Sequence, residues 1–316
     1  MDHSGHGMMT ELPPFTLGRG LQWSADPFFL VACLLGLALY TWGVVRLTRR
    51  GDRWPVGRTA FFFAGVLSIG LMMNTGLNDY GMVMFSVHMV QHMVISMLSP
   101  ILLLLGAPIT LALRALPPAA RGSKGPRELL LMLLHSRYMR IITHPVFTIP
   151  LFIASLYGLY FTPLFDFLME SRPGHVVMMV HFLATGLVFF WPIMGVDPGP
   201  HRPGYLMRML ELFAGMPFHA FFGIALMMAS QPMVRTYTDP PASLGIDALS
   251  DQNAAGGIAW AFSEIPSVLV LIVLLFQWYG SEQRQAKRKD RAADRDGDKE
   301  LEAYNAYLAS LNAQGR

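Results

Sequence analysis

The segment MVMFSVHMVQHMVISMLSPILLLLG, residues 82–106, is apolar enough to span a bilayer, yet it carries His88 and His92 one helical turn apart. Met84 precedes His88 by the same four residues, so the three side chains share one helix face. Imidazoles recur in two other apolar runs: His181 stands three residues after Met178, and His219 three after Met216. Neutral imidazoles and thioethers are soft, uncharged ligands. They select copper, the cuprous ion above all, and bring no anionic charge into a low-dielectric site. The same groups have simpler uses, since imidazole can hydrogen-bond between helices and methionine is a flexible filler of apolar interfaces. Position in the membrane has to separate the two.

The elements that must position these residues are legible from hydropathy. Of 316 residues, 53% are hydrophobic and 14% charged, outside the balance of a soluble domain. Seven apolar runs of spanning length occur at about 27–47, 59–77, 82–105, 146–165, 175–196, 205–230 and 256–279. The first lacks a basic flank and a small-residue cleavage site before it, and is expected to be retained. Arg46, Arg49, Arg50, Arg53 and Arg58 follow the first run, and Arg114, Arg121, Lys124, Arg127, Arg137 and Arg140 follow the third. Arg202 and Arg208 follow the fifth, and Arg284, Lys287, Arg288 and Lys289 lie in the tail. The alternate connections are acidic. This asymmetry predicts an all-α seven-transmembrane bundle with its N-terminus outside and its C-terminus cytoplasmic. The expected organisation is an external segment at 1–26, a membrane domain at 27–280 and a cytoplasmic tail at 281–316. Residues 126–140 are expected to form a short helix on the cytoplasmic face. The tail from 281 is either a solvated helical extension or disordered.

That topology converts sequence into depth. At about 1.5 Å per residue, His88 lies about 9 Å and His92 about 15 Å below the outer surface, with Glu264 at about 10 Å. Met73, Met178 and His181 fall in the same outer half, and His219 near mid-membrane. Polar groups inside a bilayer are costly and gather on a shared interior. The expected buried metal set is therefore His88, His92, His181 and His219, with Met73, Met84 and Met178, and with Glu264 as an ion- or proton-handling or structural carboxylate. His135, His144 and His201 lie in cytoplasmic segments and are expected to be ordinary. The N-terminal MDHSGHGMM adds a second candidate: a free amine, two amides and His3 can hold Cu(II) in a square plane, with His6, Met8 and Met9 close behind.

Composition also excludes. A single cysteine, Cys33, builds neither a disulfide framework nor a cysteine-based zinc or iron–sulfur site. There is no nucleotide-binding glycine motif and no nucleic-acid signature. The net charge of +3 is explained by the cytoplasmic loops, which face lipid headgroups.

The run FSVHMVQHMVISMLSPILLLLGAPITLALRAL, with HPV at 144–146 and MVHFLATGLVFFWPIMGVDP after it, resembles the multispan CtaG family of cytochrome c oxidase assembly factors, distinct from the single-span copper chaperone that shares the name. The resemblance covers about 27–280. It implies a role in maturing a haem–copper oxidase in the bacterial inner membrane, with an oxidase subunit as partner and copper as the group handled. The resulting expectation is a non-enzymatic membrane metallochaperone, with an external copper donor as a further expected partner. Two other classes stay open on the residues alone. One is an intramembrane zinc hydrolase with Glu264 as general base; the other is a haem-binding electron carrier with axial histidines.

Overall fold

The computed structural model describes residues 12–120, 123–201, 203–296 and 299–314, and among these the regular structure is helical, with no strand. The short α1 (Leu17–Gly20) leads to α2 (Pro27–Arg49). The start of α2 is set by Asp26, whose carboxylate accepts the Phe28 and Phe29 amides, while Pro27 occupies a first-turn position that needs no N–H. After α2 come α3 (Val56–Met73), a short α4 (Gly76–Gly81) and α5 (Phe85–Met93).

The helix does not continue evenly from α5. Pro100 has no N–H to offer the carbonyl four residues back, and the ladder shifts: the Ser99 amide bonds to the Val94 carbonyl, making Val94–Leu98 a π-helical turn before α6 (Ser99–Leu105). Ala107, at φ 51°, then turns the chain into α7 (Pro108–Ala115). Asp197 caps α7 from a distant loop by accepting the Ile109 and Thr110 amides at 3.1 and 2.7 Å.

The single helix expected over 126–140 is two, α8 (Pro126–Leu134) and α9 (Arg137–Ile142), because the Ser136 hydroxyl accepts the Met139 amide and begins a new helix. The remaining elements are α10 (Pro145–Tyr160), α11 (Leu164–Met169), α12 (Arg172–Met194), α13 (Tyr205–Met228), α14 (Ala248–Asp296) and α15 (Lys299–Gln314).

By length and composition, six helical segments among the described residues suffice to cross a membrane: Pro27–Arg49, Val56–Met73, Phe85–Ala115, Arg172–Met194, Tyr205–Met228 and Ala248–Arg295. The run expected over 146–165 stops early. α10 has 16 residues, a rise of about 24 Å against a hydrocarbon core of about 30 Å. Exposed apolar side chains support a lipid environment: Val31, Leu34, Leu35 and Leu39 of α2 are each more than half exposed, a face that water does not stabilise.

The chain divides into two compact units, one ending at Val270 and one over Leu271–Arg316. The second is helical where described, with Tyr304, Tyr307 and Leu311 of α15 exposed. In the first, α10 packs on α12 and α13, and α12 packs on α6 and the π-helical turn. Gly186 makes the last contact possible, since a Cβ there would overlap the Ser96 carbonyl oxygen.

Candidate metal-handling site

α5 carries His88 and His92 into the interior from a start that a distant carboxylate fixes. The Met84 side chain makes no cap. Instead the Asp251 carboxylate of α14 accepts the Phe85 amide at 2.6 Å and the Ser86 amide at 3.3 Å, placing an anion where the helix dipole favours one. With one turn between them, His88 and His92 then share one helix face and one neighbour, Tyr160.

The structure sorts the buried imidazoles into two pairs, with relative exposures of 0% for His88, 2% for His92, 3% for His175 and 2% for His219. His88 lies 5.7 Å from His175, centroid to centroid, among Tyr160, Phe165 and Tyr237. Neither ring nitrogen of His88 completes a hydrogen bond, nor does Nε2 of His175. The nearby Gly81 carbonyl accepts the Tyr237 hydroxyl at 2.8 Å. His92 lies 6.4 Å from His219. Its Nδ1 is 3.0 Å from the Tyr160 hydroxyl, and its ring lies against Phe182 at 3.8 Å. Nε2 of His219 has no partner. A cavity of about 10 Å³ lies between this pair, lined also by Ser96, Ser155, Phe182 and Thr185. It is the size of one water or one monatomic ion. The Ser96 hydroxyl there is likewise unpartnered.

His181 is placed differently. It is an exposed residue of α12 whose Nε2 meets the Ser155 hydroxyl at 2.9 Å. With Met178, its expected helix neighbour, it lines a separate groove of about 390 Å³. The other methionines are buried: Met73 fully, and Met84 in an apolar cluster with Tyr80, Val87 and Leu244. Glu264 is half-buried on α14 and lines neither of these cavities. His3 and His6 lie outside the described residues. Among the described residues no three His, Cys, Asp or Glu side chains gather closely enough to hold one metal ion, so the expected four-histidine convergence is here two pairs and an outlying His181.

Two functional candidates escape a reading by depth. His175 stands at the edge of its apolar run, but its spacing to Met178, Met179 and Phe182 marks one buried helix stripe. Glu211, 2% exposed inside α13, accepts the Thr148 hydroxyl on one oxygen at 2.9 Å and has no partner on the other. An acidic residue within RMLELFAG was the available signal.

Chemically the arrangement offers imidazole nitrogen donors in pairs, with the Asp251 carboxylate at the start of the helix that bears His88. An unsatisfied buried polar group costs about 1–3 kcal/mol, and His88 Nδ1, His88 Nε2, His175 Nε2 and His219 Nε2 all stand unsatisfied.

Comparison with known proteins adds context. The family described as cytochrome c oxidase caa3 assembly factor (Caa3_CtaG) matches residues 38–281. The chain is 45% identical over 314 residues to uncharacterized proteins of Mycobacterium bovis and Mycobacterium tuberculosis, covering 97% of this chain and 47% of each relative. It is 46% identical over 310 residues to one of Mycobacterium leprae, covering 96% of this chain and 47% of that relative. The chain thus spans about half the length of these relatives. No solved structure matches it.

Proposed function

We propose, from the premise that this chain belongs to the cytochrome c oxidase caa3 assembly factor family, that it holds cuprous copper inside the bacterial inner membrane and passes it to an oxidase subunit. Copper here is cargo, and no chemical turnover is required. The observation that carries the reading is the pairing of buried imidazoles, His88 with His175 and His92 with His219, at 5.7 and 6.4 Å. A metal–imidazole bond is about 2 Å, so two rings ligating one ion from opposite sides have centroids roughly 6 Å apart. Low coordination by neutral nitrogen suits the cuprous ion and needs no charge compensation in a dry site.

In this reading the chain crosses seven times, with α10 and the residues following it as the additional span, and with the C-terminus cytoplasmic. The support is the basic connections after α2, α7 and α12. His3 and His6 supply an external Cu(II) site that feeds the buried pairs.

The test is a cuprous titration of the detergent-purified protein against bathocuproine disulfonate. Wild type takes up copper; His92→Ala and His175→Ala lower the affinity strongly; His135→Ala, far from either pair, does not. Absence of bound copper in the wild type overturns the proposal. A histidine that only packs predicts a loss of about 0.6 kcal/mol of stability with copper content unchanged.

A further inference from the structure

We propose that the groove beside His181 is a lateral port for the His92/His219 pair, with Ser155 as its gate and Met178 and His181 as its ligands. This rests on the copper-holding reading above and names the route by which that site exchanges its ion.

Two cavities meet at one side chain. Ser155 of α10 lines both the groove of about 390 Å³ and the cavity of about 10 Å³ between His92 and His219. Its hydroxyl is 2.9 Å from His181 on the groove side and 3.4 Å from Thr185, which lines the inner cavity. A serine hydroxyl is a thin wall. Leucine or phenylalanine at this place would separate the two spaces with several carbons.

The hydrogen bonds add a chemical constraint. Ser155 Oγ also meets the Leu151 carbonyl at 2.7 Å. With Nε2 of His181 engaged at Ser155, Nδ1 is the ring nitrogen left to ligate an ion. Met178 lines the same groove and adds a thioether. The port is thus built from one imidazole and one soft sulfur, the donor types that suit the inner pair's ion. Its rim is apolar and outward-facing: Val177 is 58% exposed and Leu164 48%.

Passage is by ligand exchange. A nitrogen–copper bond to His92 or His219 breaks as one to His181 or Met178 forms, with no change of oxidation state and no proton released. A bare cation is unstable in hydrocarbon, so the last exchange must be with a donor side chain presented by the acceptor protein at the groove.

The test separates rate from equilibrium. A Cβ at Gly158 in the groove meets nothing within 4 Å, so the side chain of Gly158→Trp starts in open space at the port. Protein loaded with cuprous ion is mixed with excess bathocuproine disulfonate and the rate of copper loss followed, with equilibrium stoichiometry measured in parallel. Gly158→Trp is expected to bind copper as wild type does but release it at least about tenfold more slowly, as blocked gates do. Ser155→Ala is expected to release it faster. An unchanged release rate at unchanged stoichiometry overturns the port while leaving the copper site standing. Wild type that binds no copper overturns both. If Gly158→Trp does not fold, Val177→Trp reads the same port from its exposed rim.

Discussion

Asp251 caps the helix that Phe85 begins, although 166 residues separate them: the Phe85 amide reaches Oδ2 at 2.6 Å and the Ser86 amide reaches Oδ1 at 3.3 Å. The carboxylate that starts the histidine-bearing helix therefore comes from the last membrane segment. Asp251→Ala removes the cap and leaves two amides without acceptors near a buried site. We expect a loss of about 1–2 kcal/mol, read as a lowered unfolding temperature. Asp251→Asn keeps one acceptor oxygen and should recover part of it; equal stability of Ala and wild type would remove the cap from the account.

Tyr160 orients His92 through its hydroxyl at 3.0 Å from Nδ1. Tyr160→Phe keeps the ring and deletes only that bond. Groups that hold a ligating histidine in its tautomer are worth roughly ten- to a hundredfold in metal affinity. The variant should lose copper affinity in that range with little change in unfolding temperature. A purely structural tyrosine would show the reverse.

Gly186 has no room for a side chain because α12 lies against the Ser96 carbonyl of the π-helical turn. Gly186→Val must push the two apart, at about 1–3 kcal/mol, the usual cost of overpacking. The same displacement widens the space between His92 and His219. Lowered stability together with weakened copper binding is the expected result in the binding titration; unaltered copper affinity would separate the packing from the site.

Glu128 supplies the pH-sensitive element. It accepts the Ala119 amide at 3.0 Å and the Gly125 amide at 3.1 Å, and these backbone hydrogen bonds, that from Ala119 foremost, hold its carboxyl below the ordinary value. Because the folded pKa is depressed, this contribution is fully present above the unfolded carboxylate's value, about 4.3, and is lost as the pH falls through the folded one. Protection of the Ala119 and Gly125 amides from hydrogen exchange should drop in that acid window. In Glu128→Gln the drop should disappear, and a wild-type profile in the variant would refute the assignment.

Hydropathy located the helices well because burial in lipid depends on composition over some twenty residues. Within the run read over 146–165 the helix ends at Tyr160, before Pro163 and the separate turn of α11, a break that mean hydropathy does not register. For the site, counting residues set His88, His92 and His219 within the apolar runs, and all three side chains are buried. Azimuth was the weaker coordinate. His181 shares its level with buried groups but lies off the stripe of His175, Met178, Met179 and Phe182, and only packing against α10 reveals which side of α12 faces inward. Asp251, Tyr160 and Ser155 were not legible at all. Their roles come from contacts across 166, 68 and 26 residues of chain, and no local pattern announces such contacts.

The π-helical turn at Val94–Leu98 has a consequence for how this chain tolerates change. A bond spanning five residues instead of four adds one residue without adding a turn, so the segments on either side differ in angular phase by about one residue's rotation, roughly 100°. Upstream, that phase points His88 and His92 at α10, α12 and α13; downstream, it lays α6 along α3. The chain before and after the turn therefore satisfies two sets of neighbours that no uniform helix satisfies together. Apolar exchanges within 94–98 that preserve volume should be absorbed. Deletion of a single residue there would restore the regular ladder and turn one set of contacts away from its partners, so length is the property this segment must keep.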